Sequence, residues 1–129
     1  MQLLVNLDVD DLARAERFYT QGLGLTVGRR LGAIGIELLG GGAPIYLLEK
    51  AAGTQHGERH YGRHWTPVHL DFVVDDLPAA RDRCVAAGAI LEADLADHAW
   101  GSIARFADPF GHGFCLVRFT AAGYDVIAT

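Results

Sequence analysis

Val5-Asn6-Leu7-Asp8-Val9-Asp10-Asp11-Leu12-Ala13-Arg14-Ala15 is answered later in the chain by Leu70-Asp71-Phe72-Val73-Val74-Asp75-Asp76-Leu77-Pro78-Ala79-Ala80. The chain has 129 residues, so the second copy begins near its midpoint. Leu3, Val5, Leu7 and Val9 alternate with Leu4, Asn6 and Asp8, and period two is the mark of a strand with a different environment on each face. Asp10 or Asp11 then offers an N-cap oxygen to a helix carrying Leu12, Ala15, Phe18 and Tyr19 at helical spacing. Gly22 and Gly24 end that helix. A chain made of two copies of one unit places its ligand where the copies face each other.

Working outward, Leu25–Arg30, Ala33–Leu39 and Pro44–Glu49 read as three further strands separated by glycine turns. Gly40-Gly41-Gly42 is a hairpin turn, since no helix with Lys-Ser/Thr follows it as in a phosphate loop. The second half repeats the order: a strand over Val68–Val74, a cap at Asp75 or Asp76, and a helix from Leu77 to about Ala87. Pro78 falls in that helix's tolerant first turn and Gly88 stops it. Strands follow over Ile90–Leu95, Trp100–Ala107 and Gly113–Phe119, with Asp108-Pro109-Phe110-Gly111 as a tight turn. The chain thus reads as a single α+β domain of two β-α-β-β-β modules: module one over 1–50, an exposed linker or lid over 51–66, module two over 67–119 and a tail over 120–129. The tail is expected to add a short strand through 124–127. Each helix can cover only one face of its sheet. The other face, carrying Asn6 and Asp8 in one module and His69 and Asp71 in the other, therefore calls for a wet cavity.

A net charge of −5 argues against nucleic acid, whose phosphates need a basic face. No apolar run is long enough to span a membrane, and Asp8 interrupts the N-terminus too soon for a signal peptide. Cys84 and Cys115 lie in different kinds of element and are expected as reduced thiols in a cytoplasmic protein.

The repeat, the Phe18-Tyr19-x-x-x-Leu23-Gly24-Leu25 stretch and the Asp108-Pro109-Phe110-Gly111-His112 turn resemble the vicinal oxygen chelate superfamily. That group includes glyoxalase I, extradiol dioxygenases, and fosfomycin- and bleomycin-resistance proteins. The resemblance spans residues 3–119 and implies paired modules curling into a cup, usually within a homodimer. It also implies that a metal-using member draws ligands from the first and last strand of each module. Registration puts those positions at Leu4, Tyr46, His69 and Cys115, where such a member would show His or Gln, Glu, His and Glu. Leu4 offers no donor, and a tyrosine is neutral near pH 7. His69 and Cys115 leave two donors where catalytic zinc takes three. The expectation is therefore no metal and no other cofactor.

The candidate catalytic residues are His69, as general acid or base, and Cys115, as a thiol beside a histidine. Their plain alternatives are a histidine bonded to Asp71 or Tyr46 that shapes the cup, and a small buried hydrophobe. Asn6, Asp8, Tyr46, Asp71 and Trp100 are candidate ligand contacts, and the acidic lining predicts a cationic ligand. Asp10, Asp11, Asp75 and Asp76 read as helix caps. Trp65 and Phe119 are further candidate walls, with core filling as the alternative. His56, His60 and His64 recur four apart, but Gly57 and Gly62 interrupt the spacing, so a solvated lid is expected rather than a helical chelate. The functional expectation is a protein binding a small organic molecule in its cup, within the homodimer that the resemblance implies. The alternatives are a lyase or isomerase with His69 as base, and a metal-dependent glyoxalase or dioxygenase.

Overall fold

A computed structural model describes residues 1–54 and 59–129. Module one runs β1 (Val5–Val9), α1 (Leu12–Arg17), β2 (Thr26–Leu31), β3 (Gly35–Leu39) and β4 (Ile45–Glu49). Module two runs β5 (Leu70–Val73), α2 (Leu77–Ala86), β6 (Ile90–His98), β7 (Gly101–Ala107) and β8 (Gly113–Phe119). The two sheets have the same order, β1-β4-β3-β2 and β5-β8-β7-β6. In each, the first and last strands of the module pair in parallel and the other neighbours are antiparallel. The sequence repeat is thus a repeat of topology.

The capping alternatives resolve to the second aspartate of each pair. Asp11 accepts from the Arg14 N–H and Asp76 from the Ala79 N–H, satisfying donors that a helix start leaves orphaned. The first helix does not stay α-helical to its end; Phe18–Gly22 form a π turn that keeps Phe18 and Tyr19 buried. β6 is longer than expected, reaching His98. The tail is a 3₁₀ turn over Gly123–Val126 instead of a strand. β8 lies inside its sheet, between β5 and β7, so no free edge adjoins the chain as it leaves.

Pairing across the strands sorts the faces. Val5 opposes Ile45 and Leu7 opposes Leu47 on the helix side of sheet one, while Asn6, Tyr46 and Glu37 lie in line on the other side. In sheet two, Leu70, Phe114 and Phe106 line up toward the helix, and Asp71, Cys115 and Arg105 line up on the opposite side. The helix sides of both sheets share one core. Phe18 of module one packs edge-on against Phe114 of module two, with ring centroids 6.1 Å apart. The Tyr19 hydroxyl donates to the buried Asp108 carboxylate at 2.6 Å. Both cysteines are free. Burial raises the Cys84 thiol to about 11, and the thiol donates to the Gly22 carbonyl.

The described part of the linker is fastened rather than loose. The His64 N–H donates to the Gly111 carbonyl, Tyr61 donates to the Lys50 carbonyl, and Arg63 pairs with Glu92. Trp65 lies so close over Gly113 that a Cβ there would come within 2.1 Å of its ring. His56 lies outside the described residues; His60 and His64 are not on a helix.

Candidate functional site

β1 and β5 are the edge strands of their sheets. Between them lies a cleft of about 650 Å³. Leu7, Leu70, Phe72 and Phe114 supply apolar wall, and Tyr19 reaches the cleft from the core. Asn6, Asp8 and His69 line it as well, while Lys50, Arg59, His64 and His112 bring basic and imidazole groups to it.

The geometry of β1 explains why this edge has polar capacity. The Val5 N–H and the Val9 carbonyl bond across to the β4 side. In a parallel ladder the alternate residues, Asn6 and Asp8 here, turn their backbone groups the other way. The Asp8 carbonyl does so, accepting from His112 Nε2 at 2.8 Å. The Asp8 side chain is paired with Arg59, Nε to Oδ2 2.5 Å.

Three predicted site residues, Asn6, Asp8 and His69, line the cleft. Asp71 and Cys115 do not; they lie on the face of sheet two away from the shared core, where Asp71 Oδ1 is 3.3 Å from His69 Nε2. The Cys115 thiol is pushed up to about 11 by burial and then by the neighbouring Asp71 carboxylate, which it hydrogen-bonds. That is a protonated thiol rather than the thiolate a nucleophile needs, although its sulfur lies within 4.8 Å of a His69 ring nitrogen. Tyr46 sits on sheet one, its hydroxyl donating to Glu37 at 2.6 Å and accepting from Arg29 at 2.8 Å. Trp100 is not among the cleft residues. It stacks on His98 at a 4.9 Å centroid distance and packs near Tyr124 and Phe119, closing the end of sheet two with the tail. Trp65 packs on His69, ring centroids 4.7 Å apart.

Of the expected acidic lining, Asp8 stands in the cleft paired with Arg59, and Asp71 lies on the other face of sheet two. Sequence reasoning passed over Lys50 and Arg59 because both stand at or beyond the end of a strand, outside any periodic pattern. It left His64 and His112 in a lid and a turn; the bridge that joins them spans 48 residues. Glu37 was also missed. It is 6% exposed, and Arg29, Tyr46 and the Arg29 N–H hold its carboxyl down to about 2. A charged residue opposite Tyr46 in an otherwise apolar strand was the available signal.

Residues 4–117 match the sequence profile described as a glyoxalase-like domain. The chain belongs to the glyoxalase-like domain family. Solved structures share this glyoxalase-like fold at low identity. A glyoxalase/bleomycin resistance protein/dioxygenase family enzyme from Burkholderia phytofirmans PsJN is 22% identical, with TM-score 0.75 and 91% of this chain and 97% of that one covered. TioX from Micromonospora sp. ML1 is 24% identical, with TM-score 0.71 and 93% and 99% covered. The fosfomycin resistance protein FosX from Listeria monocytogenes is 18% identical, with TM-score 0.74 and 99% and 98% covered. No curated protein matches the chain.

The residues at the metal positions implied by the superfamily resemblance do not fit that metal. Leu4 carries no donor, and the Tyr46 hydroxyl is engaged by Glu37 and Arg29. The donors that do come together are His69, Asp71 and Cys115, within 4.8 Å of one another. Nitrogen, oxygen and sulfur in one place make a set that zinc can use. Two features oppose it. The ion must first displace a proton held well above neutral pH on Cys115, and Arg105, directly across from Cys115, adds positive charge to the same face.

Proposed function

We propose that this glyoxalase-like protein binds a small organic molecule in the cleft between β1 and β5 by direct side-chain contact, without a metal. The observation that carries this reading is the cleft itself. It has a volume in the range of small-molecule sites, an apolar wall of Leu7, Leu70, Phe72 and Phe114, and a few convergent polar groups. The names of the structural neighbours include resistance proteins and enzymes, and at their identities the likeness extends to the fold alone.

A second reading has one specific observation in its favour. His69 reaches the cleft rim with Asp71 at 3.3 Å, an arrangement that orients an imidazole for proton transfer. On that reading the protein is a lyase or isomerase and His69 takes a proton from the bound molecule. One experiment separates the two. Chelator-treated protein is screened by thermal shift against a library of small organic molecules, and each stabilising compound is incubated in D₂O and followed by NMR. Ligands that bind only the folded state raise its melting temperature. Stabilisation without exchange or turnover supports binding. Deuterium incorporation that disappears in His69→Gln supports proton transfer. No stabilisation until a divalent metal is restored would overturn the metal-free reading.

A further inference from the structure

The cleft is not electrically symmetric. Its apolar wall ends at a cluster of basic and imidazole groups from three separate segments: Lys50 after β4, Arg59 and His64 in the linker, and His112 in the turn before β8. Asp8 and Asp108 lie near them, and both are occupied. Asp8 is paired with Arg59. Asp108, 2% exposed, accepts from the Tyr19 hydroxyl and from the backbone N–H groups of Phe110 and His112. Among the described residues, the Lys50 ammonium has no carboxylate partner.

The His64–His112 contact ties the linker to the turn before β8 at this end of the cleft: His64 Nδ1 is 2.9 Å from the Gly62 carbonyl oxygen, His64 Nε2 is 2.9 Å from His112 Nδ1, and His112 Nε2 is 2.8 Å from the Asp8 carbonyl oxygen. Beside an apolar wall the Lys50 charge counts for more than it would in bulk water.

We propose that the ligand of this cleft is an organic anion, its carboxylate or similarly charged head at Lys50 and its apolar body along Leu70, Phe72 and Phe114. This rests on the cleft being the ligand site and reverses the sign of ligand that the acidic residues of the sequence suggested. The head partners the Lys50 ammonium, and the body packs along Leu70 and Phe72 of the edge strand β5.

The test uses three probes of one skeleton, 4-phenylbutyrate, 4-phenylbutanol and 4-phenylbutylamine, titrated into the full chain by ligand-observed NMR and thermal shift. The carboxylate is expected to bind about tenfold more tightly than the alcohol, the size of one charge-assisted contact, and the amine more weakly than the alcohol. In Lys50→Glu that order inverts toward the amine. Added salt narrows the gap between carboxylate and alcohol in the unaltered protein, a readout that does not depend on the variant folding. Equal binding of all three, or preference for the amine, overturns the charge assignment while leaving the cleft as a ligand site. Binding of none of the three, together with resonances of Phe72 and Phe114 that stay fixed, overturns the cleft as well.

Discussion

Glu37 has both carboxylate oxygens occupied: Arg29 contributes its backbone N–H, Nε and Nη2, and Tyr46 its hydroxyl. Its carboxyl lies at about 2 against an ordinary 4.5, with the Arg29 guanidinium the largest cause. A group whose pKa is lowered by folding stabilises the fold above its unfolded value, and that contribution is lost as pH falls through the folded one. The melting temperature of the unaltered protein should therefore exceed that of Glu37→Gln by a constant margin above about pH 5. The margin should shrink as pH drops from about 4.5 toward 2, as followed by circular dichroism melts. A margin that does not change with acid would mean the pairing is not formed in solution. At this scale the sequence was partly legible. Period two in β1 and β5 put Asn6 and Asp71 on the faces where they stand, and brought His69 beside Asp71. The fate of each charge was not legible, because the partner of Asp8 is 51 residues away and that of Glu37 lies across a bulged strand pair.

At the scale of elements, the segment from Arg59 to Thr66 does the work that no single strand can: it fills the space between the end of β4 and the start of β8. Gly111 makes its docking possible. With φ of +83° it takes a conformation that side chains resist, and a Cβ there would lie 2.1 Å from the Gly62 carbonyl oxygen. Gly53, with φ of +69° and open space around it, isolates the backbone contribution. Gly111→Ala should lower unfolding free energy by at least about 1 kcal/mol more than Gly53→Ala, measured by urea denaturation. Equal losses would mean that the linker yields without cost. The linker's fastening was invisible in a stretch of Gly, His, Arg and Glu that carries no periodicity. The two helices were visible because caps and apolar spacing are local signals. The π turn at Phe18–Gly22 was not, since it is the burial of Phe18 and Tyr19 in the shared core that accompanies it.

The molecule as a whole turns two sheets' outer faces to solvent, and these faces are not uniformly polar. Leu4, just before β1, is 51% exposed, and Val73 on β5 is 63% exposed. We propose a second copy of the chain as the occupant of such surface, as the superfamily resemblance implies. Sedimentation velocity at micromolar concentration should then give a particle of twice the 13.9 kDa chain mass, and Val73→Glu should shift it toward the monomer. A single monomeric species in the unaltered protein would remove this assembly. Direct metal analysis of the purified protein belongs to the same scale. Less than one bound ion per chain is expected, because the donor set is held within module two, closed by a proton on Cys115 and set beside Arg105.

The sequence by itself determined the repeat, the strand and helix order of each module, the aspartate pair that opens each helix and the lack of donors at Leu4. All of these are properties of neighbouring residues, and backbone geometry with its periods of two and 3.6 reads them locally. Only the tertiary structure decided that Lys50 and Arg59 reach the cleft, that Trp100 and Cys115 are not among its lining residues, and that His64 meets His112. Those outcomes depend on which charges and rings come within a few ångströms after the chain has closed, and electrostatic pairing acts through space without regard to order along the chain.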